Sequence, residues 1–474
     1  MRPPRDRRLV VVPAGIMAGL LAGLAAPALA ETTFEPRLET AGTYVSNVTL
    51  APRGEERHDW VGTLAPGFSL ARTGTRLDFA LDYDLEALWY AQESDYDDTY
   101  NRFLGNARGA IVEDRLFLDL YGLYDQRNVD PGGIQATSNV YVTGNRTNET
   151  TWRASPWWRQ PLGDGAETVL RYTTGRTEFD YEDAANRLDA RASALERFDA
   201  FVGSSRREGW TWGADYLYSR VDYDDSPGYR YERAGGELGV PAGSRTHALF
   251  AAGVESDVEE DPGAGGLDSP WWNVGVLYAP SVRQSFEARV GNRFYGTSWE
   301  LRWKRRGSRG ELELEYVEQP STYGALEFAG GGNLPPGWDV GRIDTRVYLS
   351  RRAAGRLTWQ TAKSDWAFSV YNDRRQYYDD ATVIDPRDDE TYSGARIAWD
   401  WQTFARTGFE FEAFWETNEL TGGDNDRGQV LVALVRRLTP RLELRLEGTR
   451  LVGNSEIVDD YRSNTGTIAL RWSR

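Results

Sequence analysis

The feature that most constrains this chain is a segment whose polarity alternates residue by residue. Leu77, Phe79, Leu81, Tyr83, Leu85, Ala87 and Trp89 interleave with Asp78, Ala80, Asp82, Asp84 and Glu86. A strand sends successive side chains to opposite faces. One face of this segment is therefore apolar and the other is a row of carboxylates. A soluble sandwich would bury the apolar stripe and leave the carboxylates to water. An outer-membrane barrel would turn the stripe to lipid and the carboxylates to a wet lumen. The period-two pattern recurs to the end of the chain. Leu116, Leu118 and Leu120 oppose Asp119 and Tyr121, and Trp272, Val274, Val276 and Tyr278 oppose Asn273 and Gly275. Phe286, Ala288 and Val290 oppose Glu287, Arg289 and Gly291, and Trp299, Leu301 and Trp303 oppose Glu300, Arg302 and Lys304. Phe409, Phe411, Ala413 and Trp415 oppose Glu410, Glu412 and Glu416, and Leu442, Leu444 and Leu446 oppose Arg441, Glu443, Arg445 and Glu447.

Each segment has about the ten residues a tilted strand needs to cross a bilayer. The connections alternate between short turns, such as Glu113-Asp114, Arg306 to Gly310 and Ala362 to Ser364, and long acidic loops. The loops include Asn128 to Asn148, Asp224 to Tyr229, Glu255 to Asp268, Pro320 to Gly341, Tyr378 to Glu390 and Asn418 to Asp426. Short periplasmic turns and long external loops are the asymmetry of an outer-membrane barrel. The expected fold is all-β, a transmembrane antiparallel up-and-down barrel of about 22 strands, in a range of about 18 to 24. Arg342 to Thr361 is taken as one long strand and Phe294 to Ser298 as a tight connection. Trp60, Trp89-Tyr90, Trp157-Trp158, Trp210, Trp271-Trp272, Trp399 and Trp401 lie near strand ends, where aromatic rings favour the headgroup level, and are expected to form girdles.

The N-terminus places this barrel behind an export signal. Arg2, Arg5, Arg7 and Arg8 precede a mostly apolar Leu9 to Leu24, and Ala28-Leu29-Ala30 is a small-x-small cleavage site before Glu31. Pro13, Pro27 and the glycines argue against a transmembrane anchor. No cysteine follows, which excludes a lipoprotein, a disulfide or a thiolate metal site. Residues 1–30 are thus a cleaved signal peptide and 31–474 one barrel domain in the bacterial outer membrane. Removing the signal's four arginines and one aspartate from a formal net charge of −17 leaves the mature chain at about −20. That balance argues against nucleic acid or an anionic membrane surface as partner. The expected partner is outer-membrane lipid.

Catalytic chemistry has little to work with. His58 and His247 are the two histidines. Ser244 and His247 lie three apart on an extended strand, so their side chains point to opposite faces and cannot form a nucleophile–base pair. No enzyme activity and no cofactor are expected. Acidic clusters, among them Asp95, Asp97 and Asp98 and also Asp222, Asp224 and Asp225, lack the spacing of a dedicated calcium loop. The candidate channel-lining residues are Asp78, Asp82, Asp84 and Glu86 on one arc, with Glu410 and Glu412, and Arg289, Arg293, Arg302, Lys304, Arg342 and Arg346 on another. Either these set up a transverse field that selects solutes, or they pair across neighbouring strands and fill the interior. The less charged loop Pro320 to Gly341 is either a surface loop or an inward-folded lid.

The run Thr43-Tyr44-Val45-Ser46-Asn47-Val48-Thr49-Leu50-Ala51-Pro52, with Leu64 to Leu70, Leu81 to Leu85 and Asp114 to Asp119, resembles the outer-membrane barrels associated with PEP-CTERM and exopolysaccharide systems, described as EpsL-like. The chain departs from that pattern at Ser46 and in ending Arg471-Trp472-Ser473-Arg474 rather than on an aromatic. The resemblance implies a role beside polysaccharide export, with a polysaccharide and periplasmic export components as partners, and supplies no catalytic residue. The leading expectation is a channel, or part of one, for an exported polysaccharide. The alternatives are a general diffusion porin and a structural barrel with a closed lumen. A receptor of the TonB-dependent class is disfavoured, because strand patterning begins at about Arg37 and leaves no room for a plug before it.

Overall fold

The computed structural model describes residues 31–180, 192–205, 209–224, 226–256, 268–323, 347–379, 383–384 and 389–474. In chain order the strands are β1 (Glu31–Val45), β2 (Asp59–Thr73), β3 (Leu77–Tyr90), β4 (Asp98–Val112), β5 (Leu116–Asn128), β6 (Arg146–Leu162), β7 (Ala166–Asp180), β8 (Ser193–Ser204), β9 (Thr211–Tyr223), β10 (Ser226–Gly243), β11 (Thr246–Glu255) and β12 (Ser269–Ser281). They continue as β13 (Gln284–Arg293), β14 (Gly296–Arg306), β15 (Gly310–Ser321), β16 (Tyr348–Gln360), β17 (Ser364–Asp379), β18 (Val383–Ile384), β19 (Glu390–Phe404), β20 (Thr407–Leu420), β21 (Gly423–Thr439), β22 (Leu442–Ser455) and β23 (Tyr461–Ser473). The two-residue β18 pairs with the tip of β17 alone. The other 22 run antiparallel, each against its neighbours in sequence.

The sheet closes on itself, β1 pairing with β23 from Arg37↔Ser473 to Val45↔Thr465. Closure satisfies the backbone groups that an open edge would leave bare in lipid. The two termini lie at the end that carries the short turns, taken as periplasmic.

Register propagates the alternation around the wall, with shifts at strand ends such as Pro241/Gly243 and Ala110/Val112. Trp272, Val274, Val276 and Tyr278 point outward and are 50, 38, 37 and 42% exposed. An apolar face left bare this evenly fits hydrocarbon rather than water. The outward aromatic cluster at the periplasmic rim is a girdle segment: Trp366 stacks on Trp399 at 4.7 Å, and Trp399 on Trp401 at 5.6 Å. Trp60, Trp89, Trp158, Trp210 and Trp272 are likewise outward and exposed.

The structure corrects several expectations. Trp157 and Trp271 face inward, because the second tryptophan of each pair occupies the outward position. Ser226 to Tyr229, expected in a loop, opens β10, and Asn418 to Asp426 is not a loop but the polar tip of a tall hairpin, with Leu420 paired to Gly423 at a φ of 128°. Strands of up to 18 residues exceed what the bilayer needs, so their tips stand above the lipid and carry charge freely. The long strand expected from Arg342 begins at Tyr348, and residues 342–346 lie outside the described residues. The tight connection after Phe294 is present, Arg293 pairing with Gly296 at a φ of 104°.

Candidate functional site

Of the twelve candidate lining residues, Arg342 and Arg346 lie outside the described residues. The register places the other ten on the inward face. Strand pairing mixes their signs. Arg37 of β1 reaches over β2 to Asp84 of β3, its Nε donating at 2.7 Å and Nη2 at 2.6 Å. Gly67 lies beneath this bridge, and a Cβ there would overlap the Asp84 carboxylate. Arg37 also reaches Asp82 at 3.4 Å. Asn139 donates to Glu86 at 2.6 Å. Arg289 binds Glu237 and Glu287, each at 2.6 Å. Lys304 pairs with Glu311 and Glu313, and Arg302 with Glu300. Arg445 bridges Glu410 and Glu447, and Arg396 meets Glu412 at 2.8 Å. The cationic arc is thus lined with its own carboxylates. The charges pair across strands and also along single strands, as in Arg289–Glu287, Arg302–Glu300 and Arg445–Glu447.

The pairs differ with height. Toward the periplasm they stand half in water: Arg302 and Lys304 side chains are 53 and 52% exposed. Toward the external end, four pairs are buried. Arg293 meets the fully buried Glu255 at 2.7 Å, with the Tyr231 hydroxyl donating to the same carboxylate at 2.8 Å. Arg375, 3% exposed, meets Asp373 at 3.0 Å and lies between the rings of Tyr348 and Tyr392. Arg427 pairs with Glu416. Arg127 meets Glu149 at 2.7 Å, and its guanidinium stands over the ring of Tyr323 from the far side of the barrel. Burying a charge this deeply is tolerated when it is paired and hydrogen-bonded. The external end of the wall is therefore packed around these pairs, whereas a cavity of about 1300 Å³ lies toward the periplasm and a second, of about 990 Å³, reaches up to Arg127, Glu149 and Arg427.

The segment between β5 and β6, expected to be an external loop, accounts for much of the packing. Residues 129–145 fold against the inner wall. Tyr141 and Ala136 join a buried cluster with Val45, Val48, Leu50, Val61, Leu88, Tyr90, Leu451 and Tyr461. The cluster spans β22, β23 and β1 to β3. Polar anchors fix the segment's course. Asn425 donates to the carbonyls of Pro131 and Gly133, and the Tyr90 hydroxyl donates to the Val140 carbonyl at 3.1 Å. The Gln135 amide donates to the Tyr461 hydroxyl at 3.3 Å, and the Val142 amide to the Val48 carbonyl at 2.8 Å.

The floor beneath is the run Thr43 to Pro52. Asn47 is fully buried and donates to the carbonyls of Ala51 and Arg462. Leu50, with a φ of 51°, holds a left-handed conformation that branched residues resist. The motif thus builds a seat for the inward segment. Sequence reasoning missed the segment itself, although an apolar triplet, Val140-Tyr141-Val142, in a stretch with Gly132, Gly133, Gly144, Asn139 and Asn145 was a usable signal. Of the Pro320 to Gly341 loop, residues 324–341 lie outside the described residues, and Thr322 and Tyr323 before them are buried.

Other candidates are placed as follows. His247 Nε2 lies 3.0 Å from the Gly209 carbonyl at the periplasmic rim, and Ser244 is exposed in the adjoining turn. His58 is exposed, its ring 6.4 Å from Tyr44. Asp97 accepts from the Tyr90 amide at 2.8 Å, and Asp222 pairs with Arg220. Among the described residues no group of three acidic or histidine side chains is arranged to hold a metal ion.

No protein-family model matches the chain, and no curated protein matches it. Solved structures do. The FrpB iron transporter from Neisseria meningitidis is similar at a TM-score of 0.50 and 10% identity, over 96% of this chain and 83% of that one. The siderophore receptor PirA from Acinetobacter baumannii gives 0.45 and 10%, over 94 and 81%. The ferric enterobactin receptor PfeA gives 0.44 and 12%, over 95 and 82%. At such identity the likeness extends to the fold. The chain is a closed 22-strand β-barrel of the bacterial outer membrane.

Proposed function

We propose that this barrel is a conduit loaded from the periplasm and closed at its outer mouth, serving export of a polysaccharide with periplasmic components. One observation carries the reading: lumen ion pairs go from half-solvated near the periplasm to buried near the outside. A hydrated polymer entering from the periplasm meets water-filled space lined by paired charges and by Tyr121 and Phe414, and then a packed mouth that must yield. The resemblance of the Thr43 to Pro52 run to exopolysaccharide-linked barrels supports a sugar polymer as cargo. Weak, repeated contacts suit a moving chain better than one tight site.

A second reading, a structural barrel whose lumen stays shut, is favoured by the four buried pairs and the inward segment. Single-channel recording of the refolded mature chain in planar bilayers separates the readings. The conduit gives infrequent openings that added polysaccharide interrupts. Steady conductance indifferent to polymer would mean a general diffusion porin. No conductance, even after the inward segment is released, would mean a structural barrel.

A further inference from the structure

The cavity toward the periplasm, about 1300 Å³, is lined by β2 to β9. Its wall carries a cluster that the ion-pair ladder does not explain. Asp119 of β5 is shared by two arginines. Arg108 Nε donates to its Oδ1 at 2.8 Å, and Arg171 Nη1 to its Oδ2 at 3.2 Å. Both guanidiniums also lie against Trp157, at 5.9 and 5.4 Å from the ring centre. Trp157 is held flat by stacking on Phe117 at 4.1 Å and 15°. One rung higher, the Arg153 guanidinium lies over Tyr121 at 5.1 Å, close enough to interact with both Arg171 and Asp119. Two guanidiniums therefore hold one carboxylate, with a third on the adjacent rung.

The clustering follows from the register. Tyr121 is directly opposite Arg153, Asp119 opposite Ser155, and Phe117 opposite Trp157. The β6–β7 pairing then sets Trp157 opposite Arg171. Aromatic rings under the guanidiniums fix their planes and cost the arginines little rotamer freedom on binding. Two of the three arginine side chains remain open to the cavity, Arg108 at 58% and Arg171 at 36%. Planar, preorganised guanidiniums match a carboxylate in bidentate fashion.

We infer that this wall is a subsite for an anionic saccharide, its carboxylate received by Arg108, Arg153 and Arg171. This rests on the conduit reading and deepens it: the cargo is an acidic polymer rather than a neutral one. In a chain carrying a net charge of −17, a cationic patch facing the periplasmic cavity favours such a polymer entering there.

The test is titration of the refolded barrel with oligogalacturonate, with maltohexaose as the neutral counterpart and inorganic phosphate as a bare anion, followed by calorimetry. The expected result is binding of oligogalacturonate, at least tenfold weaker binding of maltohexaose and phosphate, and about tenfold weakening in Arg153→Gln and in Arg171→Gln. Equal binding of acidic and neutral oligomers would overturn the inference, as would phosphate binding as tightly as the oligomer or variants that bind like the parent. Retained heat-modifiable migration on gels shows that each variant is folded. Arg153→Lys and Arg171→Lys provide a second test, keeping charge but losing the bidentate fork. They should recover part of the affinity, and no recovery in either would also count against it. Conductance of the same preparations keeps the two claims apart. Polymer block without acidic preference would sink this inference alone, whereas selective binding without any conductance would sink the conduit reading.

Discussion

Tyr141 is the side chain on which the closed mouth most depends. It belongs to the inward segment and is 3% exposed, packed among Val48, Leu50, Tyr90 and Tyr461. Release of residues 129–145 would expose all of it while leaving the wall intact. Truncating a buried aromatic side chain costs about 3–5 kcal/mol. Because the burial exists in the closed arrangement alone, that cost falls on the closed-to-open equilibrium rather than on the barrel. Taking the lower figure, Tyr141→Ala shifts the ratio by on the order of 100-fold toward open. Single-channel recording reads this directly as open probability, with the parent chain measured in the same bilayers. A variant that folds normally and gates like the parent would refute the assignment of the segment as the closure.

Three further outcomes follow from the same geometry. Burial holds the Tyr141 hydroxyl up at about 12, above the ordinary tyrosine range, so its stabilisation of the closed arrangement is complete below about pH 10. That stabilisation is lost as pH rises through about 12, so open probability should climb over this window in the parent and the component should vanish in Tyr141→Phe. Arg427→Gln strands the Glu416 carboxylate in a buried site and should destabilise the folded barrel by about 3–5 kcal/mol in urea titration, with the Arg427→Gln, Glu416→Gln double variant recovering much of it. Val274→Arg places a charge on the outward face near mid-strand and should cost about 2–4 kcal/mol in folding into liposomes, whereas Asn273→Arg, one residue along and facing the lumen, should cost far less. Equal costs for the two would contradict the assigned faces.

The wall was legible in the sequence because a strand has two faces and lipid tolerates one kind of side chain. Asp78, Asp82, Asp84 and Glu86 are placed inward by the same alternation that sends Leu77 to Trp89 outward. The same logic applied strictly to Trp157-Trp158 and Trp271-Trp272 would have sent one ring of each pair inward. Composition near strand ends suggested girdles instead. Polar composition misled at Ser226 to Tyr229 and Asn418 to Asp426, since a strand tip above the membrane is as polar as a loop. The packed mouth was beyond alternation altogether. Whether Arg427 is buried depends on Gln135 arriving from a segment nearly 300 residues away in sequence, and that segment's Gly, Asn and Pro content describes a loop without saying which way it folds. Pairing of Lys304 with Glu311 and Glu313, and of Arg302 with Glu315, needed the register, which period-two patterning fixes only within each strand.

The most direct test of a periplasm-loaded conduit is the sidedness of polymer block. Tyr141→Ala barrels inserted in one orientation in a planar bilayer are given oligogalacturonate on one side at a time. Interruption of current from the periplasmic side at concentrations that leave the outer side unaffected is the predicted result. Block of equal strength from both sides, or current that no polymer interrupts, would contradict it.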